Sequence, residues 1–363
     1  TDATKSLKMP KGAAYSGTAQ DGMVRNSSEA QSQGSLNVMQ HFNGTDWKNY
    51  ENLLSNPVNF NSDVLIVAGG GGTTTLCGSG GAGGGGVLSG TLPLSTSATY
   101  SIQVGAGGLG STGPGYTTGF TNGSNTFIDS YISTGGGYSA GACCGSVFAP
   151  FPSAGNSGGS GGGGGGFVGN GSASTGGASN QSSISPLTGY GFAGGSHIST
   201  SPADYVGAGG GGAGAAGQAV DYSNNNGGNG GSGHISTIIT NTMASANSVG
   251  EVDGSNVYYS GGGGGQGSSG GGVGGAGGGG NQLNNGTAAT GGGGGGATCS
   301  GSNGNTGGSG VLIVKYPSAY ACTLSSASGL TEIVDTTSIS GFNVSIFKVT
   351  SEGTSGTGTI EFS

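Results

Sequence analysis

Two unbroken apolar runs stand out against a background of small and polar residues. Val64-Leu-Ile-Val-Ala68, preceded by Asp63, leads straight into Gly69–Gly72. Val311-Leu-Ile-Val314 follows Gly310, continues through Lys315 and Tyr316, and stops at Pro317. Runs of this length suit strands covered on both faces, and proline closes a strand because it cannot donate to the ladder. Tyr100-Ser-Ile-Gln-Val104 alternates instead, which predicts a strand with one polar face. Phe127-Ile128 and Ile235–Ile239 give weaker strand signals. Upstream, Asn43-Gly44 lies between Val38–Phe42 and Trp47, a dipeptide suited to a hairpin turn.

Between the two apolar runs the pattern is neither helical nor strand-like, and composition becomes decisive. Of 363 residues, 93 are glycine, against a usual share of about 7 %. The chain divides into residues 1–62 with ordinary glycine content, residues 63–317 with nearly all of the glycine, and residues 318–363, where Thr, Ser, Val, Ile and Phe return a strand-like texture. Glycine blocks such as Gly78–Gly86, Gly207–Gly217, Gly261–Gly280 and Gly301–Gly310 are interrupted mostly by Ala, Ser, Thr and Asn. Glycine costs about 1 kcal/mol per residue in a helix interior, which excludes a helix-rich enzyme. With no strict Gly-X-Y period and only 9 prolines, collagen is excluded as well.

Gly/Ser-rich chain is ordinarily a random coil. Many blocks of similar length, separated by aromatic-bearing turns, predict ordered rods in the polyproline-II conformation of polyglycine. Such a helix has three residues per turn and no internal hydrogen bonds, so every N–H and C=O must find a partner on a neighbouring rod. Without Cβ atoms the rods approach closely enough to do so. At the rim, Ser and Asn side chains, water or capping strands must satisfy the remaining groups.

Charge narrows the functions further. There are 7 Lys+Arg against 15 Asp+Glu, giving a net charge of −8, and no Lys or Arg occurs from Val64 to Val314. A phosphate backbone cannot be neutralised by such a surface, so nucleic acid is not an expected partner. No apolar run approaches the roughly 20 residues of a membrane span, so no membrane insertion is expected. The histidines His41, His197 and His234 have no metal-ligand spacing, and no catalytic pair or cofactor motif stands out. The chain reads as a non-enzyme without metal or cofactor. Glu251 and Asp253 read as an exposed acidic turn rather than a calcium loop.

Five cysteines (Cys77, Cys143, Cys144, Cys299, Cys322) leave at least one thiol unpaired in the chain. Cys77 and Cys299 lie near block ends beside the two apolar strands, and a bridge between them becomes feasible if those strands are neighbours. Seven N-x-S/T sequons are present, as expected where Asn, Gly, Ser and Thr abound. They matter only in a eukaryotic host.

The large side chains of the middle zone fall between glycine blocks. Tyr138, Phe148, Phe151, Tyr190, Phe192, His197, Tyr205, Tyr222, Tyr258 and Tyr259 are the candidate recognition residues. Rigid Tyr-rich loops on a stiff scaffold suit binding to glycans or outer surfaces at little entropic cost. The alternative for each residue is packing against rod ends or strands.

Taken in order, Asp63–Gly72, Tyr100-Ser-Ile-Gln-Val-Gly-Ala-Gly-Gly108 and Gly307–Pro317 resemble the opening, second and closing strands of the glycine-rich domain common in bacteriophage and other viral fibre proteins. A related domain occurs in anaplastic lymphoma kinase-type receptors. Met9-Pro-Lys-Gly12, Gly22-Met-Val-Arg-Asn26 and Phe42–Trp47 resemble a short module of phage structural proteins, although the aromatic expected before Asn26 is missing. Gly341–Phe347 and Gly356–Phe362 look like the strand pair that closes such fibre proteins.

The resemblance implies a mainly β fold, with a jelly-roll-like framework carrying an inserted polyglycine-II bundle. It implies a β-rich attachment module at residues 1–62, a glycine-rich domain at 63–317 and a C-terminal strand segment at 318–363. It further implies a virion surface protein of tail-fibre or fibre-tip type. Such a protein would join other virion proteins through residues 1–62 and adhere to a glycan or protein receptor on the host surface. A homotrimer is compatible with this class, although no repeat in the chain demands one. A capsid-decorating protein without receptor role and a cellular glycine-rich surface protein remain the alternatives.

Overall fold

A computed structural model describes the backbone strands at residues 24–27, 38–42 and 47–49, and residues 58–112, 119–141, 154–166, 174–198, 205–220, 223–298 and 303–363. It is mainly β. The chain divides into two units, Thr1–Val58 and Asn59–Ser363. In the first, β1 (Val24–Ser27), β2 (Val38–Phe42) and β3 (Trp47–Asn49) form an antiparallel sheet. Phe42 pairs with Trp47, flanking the Asn43-Gly44 position of the expected turn.

The second unit continues with β4 (Asn59–Val67), β5 (Val87–Ser95), β6 (Thr99–Val104), β7 (Thr126–Ile128), β8 (Tyr131–Ser133), β9 (Thr188–Tyr190) and β10 (His234–Ser236). Helix α1 (Asn241–Asn247) follows, then β11 (Glu251–Asp253), β12 (Asn256–Tyr259) and β13 (Val311–Pro317). Last come β14 (Cys322–Ser328), β15 (Leu330–Asp335), β16 (Phe342–Val349) and β17 (Gly356–Phe362). One sheet has the order β15-β16-β13-β4-β5-β9 and the second β14-β17-β6-β7-β8, while β10-β12-β11 form a small third sheet. Residues 318–363 therefore do not stand apart: β16 extends the first sheet beside β13, and β17 the second beside β6.

The two apolar runs are neighbours. Val64, Leu65, Ile66 and Val67 lie opposite Val314, Ile313, Leu312 and Val311 in antiparallel register. Their side chains split between two cores, which explains why neither run alternates. Val64, Ile66, Leu312 and Val314 join Ile102, Val104, Ile128, Ile360 and Phe362 of the second sheet in one buried cluster. Leu65, Val67, Val311 and Ile313 turn to the other face and meet Ile238, Ile239, Met243, Val257 and Tyr259 of the segment around α1. The Thr240 hydroxyl caps α1 by accepting from the Met243 N–H, and Ser248 ends it in a left-handed conformation with φ 51°. The expected strand at Ile235–Ile239 is confined to His234–Ser236; Ile238 and Ile239 are buried on the approach to α1.

The glycine segments are ordered by bonds to one another. Gly80, Gly83 and Gly86 donate to Ala140, Gly137 and Thr134; Gly81 and Gly84 donate to Ala208 and Gly211; Ala82 and Gly85 donate to Gly294 and Gly291. Donors three residues apart thus reach the same neighbour, and the segment presents three faces to three partners. The same step of three recurs where Gly207, Gly210 and Ala213 donate to Gln266, Gly263 and Ser260. Contact is too close for a side chain: a Cβ at Gly210 would lie 1.9 Å from the Ala82 carbonyl oxygen, and one at Gly71 would lie 2.3 Å from that of Gly137.

Candidate functional site

Glycine segments begin at the strands and end at a face on the far side. Near the strands, Gly86 donates to Thr134, Gly85 to Gly291 and Gly310 to Gly105. At the opposite end, which we term the distal face, Thr73 donates to Asn305, Gly304 to Ser111, Gly166 to Gly78, and Gly207 to Gln266. The described segments on either side of 113–118, 142–153, 167–173, 199–204, 221–222 and 299–302 all end at this distal face. Side chains cap it: the Gln266 Oε1 accepts from the N–H groups of Gly78 (2.7 Å) and Ser79 (3.2 Å). Nearer the strands, the Glu251 carboxylate accepts from Gly277 and Gly278, each at 2.7 Å.

The candidate recognition residues are not brought together. His197 and Tyr205 lie toward the distal face, His197 through paired backbone bonds with Ser174. Tyr138, half-buried, packs edge-on against Phe120. Tyr190, Phe192, Tyr258 and Tyr259 lie at the strand end. Two of the candidates are corrected by burial. Tyr259 is 0 % exposed within the core beside α1, and His197 is 1 % exposed, so neither ring can meet a macromolecular partner directly. Burial also pushes the Tyr259 hydroxyl far above its ordinary pKa, keeping it neutral. Phe192, 43 % exposed, is the most open of the described aromatic candidates. Phe148, Phe151, Tyr222 and Cys299 lie outside the described residues.

A cleft not anticipated from the sequence opens at the strand end. It encloses about 310 Å³ between the β4–β5–β13 surface and the β10 segment, and its walls include Asp63, Ser89, Thr91, His234, Ser236 and Lys315. Register places Asp63 opposite both Lys315 and Thr91. Asp63 Oδ2 pairs with Lys315 Nζ at 2.8 Å, and Oδ1 accepts from the Thr91 hydroxyl at 2.8 Å. Burial pushes the Asp63 carboxyl up, but the hydrogen bonds from Lys315 and Thr91 and the Lys315 charge outweigh it and hold the pKa below the ordinary value. Lys315 also lies over the Phe342 ring, 5.2 Å from its centroid. His234 stacks on Tyr190 with centroids 4.0 Å apart, and burial lowers its pKa to about 4, so the imidazole is neutral at pH 7. The sequence carried one signal for this site: Asp63 and Lys315 border the two matching apolar runs, and antiparallel pairing of those runs sets them face to face.

Cys77 is disulfide-bonded, whereas Cys322 is a free, half-buried thiol. Burial, reinforced by the Glu332 charge, pushes the Cys322 thiol up to about 12, which keeps it protonated and unreactive. Among the described residues no group of three or more His, Cys, Asp or Glu could hold a metal ion, and no helix is long and apolar enough to cross a membrane.

Paired antiparallel sheets, with laterally bonded glycine segments running from their ends, define a glycine-rich β protein. The Glycine-rich domain family model matches residues 54–317, well over half of the chain, and the chain belongs to that family. No curated protein and no solved structure matches it.

Proposed function

We propose that the chain is a virion surface structural protein of tail-fibre or fibre-tip type, whose glycine segments form a stiff polyglycine-II bundle that presents the distal face for host adhesion. The observation that carries this reading is the step of three in the lateral hydrogen bonds, the repeat of a three-residue left-handed helix. The two sheets that share one buried cluster supply the jelly-roll-like framework of the expected fold. A scaffold with hydrogen bonds on three faces resists bending and holds the described ends of its rods at fixed spacing. Tyr205 belongs to that adhesive end, and Phe148, Phe151 and Tyr222 join it as adhesion candidates on the sequence alone. The partner there is a glycan or protein of the host surface, and residues 1–62 join other virion proteins. The protein performs no catalysis in this reading.

Antibody to the purified chain, imaged on assembled particles, should label fibre tips. Uniform label over the capsid would replace adhesion with decoration, and absence from particles would overturn both. Alanine at Tyr205, Phe148, Phe151 and Tyr222 together should abolish cell binding while leaving the melting temperature unchanged.

A further inference from the structure

The cleft beside β10 has the chemistry of a ligand site, and it lies at the opposite end from the distal face, so its occupancy is independent of the adhesion reading. Its volume of about 310 Å³ falls at the small end of ligand pockets. We propose that it binds a neutral sugar ring.

Charge selects the ligand class. Lys315 is matched by Asp63 at 2.8 Å, so the site offers neither an uncompensated cation for phosphate or a carboxylate sugar nor an uncompensated anion for an ammonium group. The chain's net charge of −8 disfavours anions further. Both carboxylate oxygens of Asp63 are already held, one by Lys315 and one by Thr91, yet each keeps a second lone pair, and Lys315 keeps donors beyond the one it spends on Asp63. A fixed carboxylate beside a fixed ammonium accepts from one hydroxyl and donates to its neighbour, which is the demand of a vicinal diol. The hydroxyls of Ser89 and Thr237 add groups that both donate and accept, while Ile235, 46 % exposed, gives the same walls an apolar portion for the C–H face of a pyranose. Because the carboxylate is positioned before any ligand arrives, little ordering entropy is lost on binding.

The test uses the full chain and saturation-transfer NMR with the methyl glycosides of glucose, galactose, mannose, fucose, N-acetylglucosamine and N-acetylgalactosamine. N-acetylneuraminic acid and glucose 6-phosphate serve as anionic probes. At least one neutral glycoside should bind, and the anionic probes should bind at least tenfold more weakly. Asp63→Asn and Thr91→Val should each weaken the neutral sugar at least tenfold. Ser89→Trp, which fills the cleft from β5, should abolish binding with the thermal transition retained. Failure of every neutral glycoside, a preference for the anionic probes, or binding indifferent to Ser89→Trp would overturn the proposal.

Discussion

The sheets and the glycine segments solve the same problem by opposite means. In the sheets, Phe347, Leu312 and Phe362 exclude water by filling space with large side chains. In the glycine segments, backbone excludes water by pressing on backbone, and residues 64–88 are buried without interruption although most of the latter half carries no side chain at all. One region depends on carbon that is present and the other on carbon that is absent. The sheets therefore suffer from deletion and the glycine segments from addition.

The largest effect should come from Gly210→Val. Its Cβ would fall 1.9 Å from a backbone oxygen of a segment that is itself bonded on other faces, so nothing flexible can give way. We expect loss of more than about 3 kcal/mol, beyond ordinary overpacking, read as failure to recover folded protein or a collapsed urea transition. A chain that tolerates Gly210→Val would show that the segments are not stitched together. The counterpart in the sheets is Phe347→Ala, fully buried opposite Leu312, which should cost about 3–5 kcal/mol by the same measurement. If Phe347→Ala proved silent while Gly210→Val was severe, the sheets would be passengers on the glycine array.

This asymmetry also decides what could be read from the sequence. The sheets announce themselves: Val64–Val67 and Val311–Val314 are strands, are neighbours, and are covered on both faces, as unbroken apolar runs imply. The segment around α1 was illegible because Asn241–Asn247 buries only Met243 and Ala244, too few positions to establish a helical period. The candidate residues fared according to environment. An aromatic between glycine blocks looks the same in sequence whether it ends exposed, as Phe192, or enclosed, as Tyr259. Only the partner segments, distant in the chain, decide between the two. The Asp63–Lys315 cleft needed knowledge of pairing across the whole glycine zone, and Thr91 carries no local signal at all.

Capping is where the two regions meet ordinary polar chemistry. Gln266→Ala removes the acceptor for two N–H groups at Gly78 and Ser79 in a buried setting. A cost of about 1–3 kcal/mol is expected, together with faster amide exchange localised to those two positions. Uniformly faster exchange through the glycine segments would mean that the array melts as a unit rather than fraying at its distal rim.

The pH dependence is smaller and belongs to the strand end. Burial holds His234 at a pKa of about 4, below its ordinary 6.5, so the unfolded chain binds the proton more readily than the folded one between those values. The stability held at pH 7 is therefore lost progressively as pH falls from 6.5 toward 4, with a slope of at most ~1.4 kcal/mol per pH unit. His234→Phe keeps a ring against Tyr190 and should flatten urea midpoints measured across that window. A slope unchanged in His234→Phe would assign the acid sensitivity to carboxylates instead.

The weakest effect on folding should come from the Asp63–Lys315 pair. Lys315 is 18 % exposed and Asp63 43 %, so solvent screens much of their attraction, and pairs of this kind contribute about 0–1 kcal/mol. Asp63→Asn retains an acceptor for Thr91, and Lys315 retains the Phe342 ring beneath it, so neither group is left stranded. A double-mutant cycle of Asp63→Asn with Lys315→Met should return a coupling within that range and shrink further in high salt. A pair that adds this little to stability can be altered without disturbing the sheets that carry it, so a loss of sugar binding in Asp63→Asn would report on the cleft and not on the fold. A coupling well above 1 kcal/mol would reverse that inference, making the ion pair a structural clasp across β4 and β13.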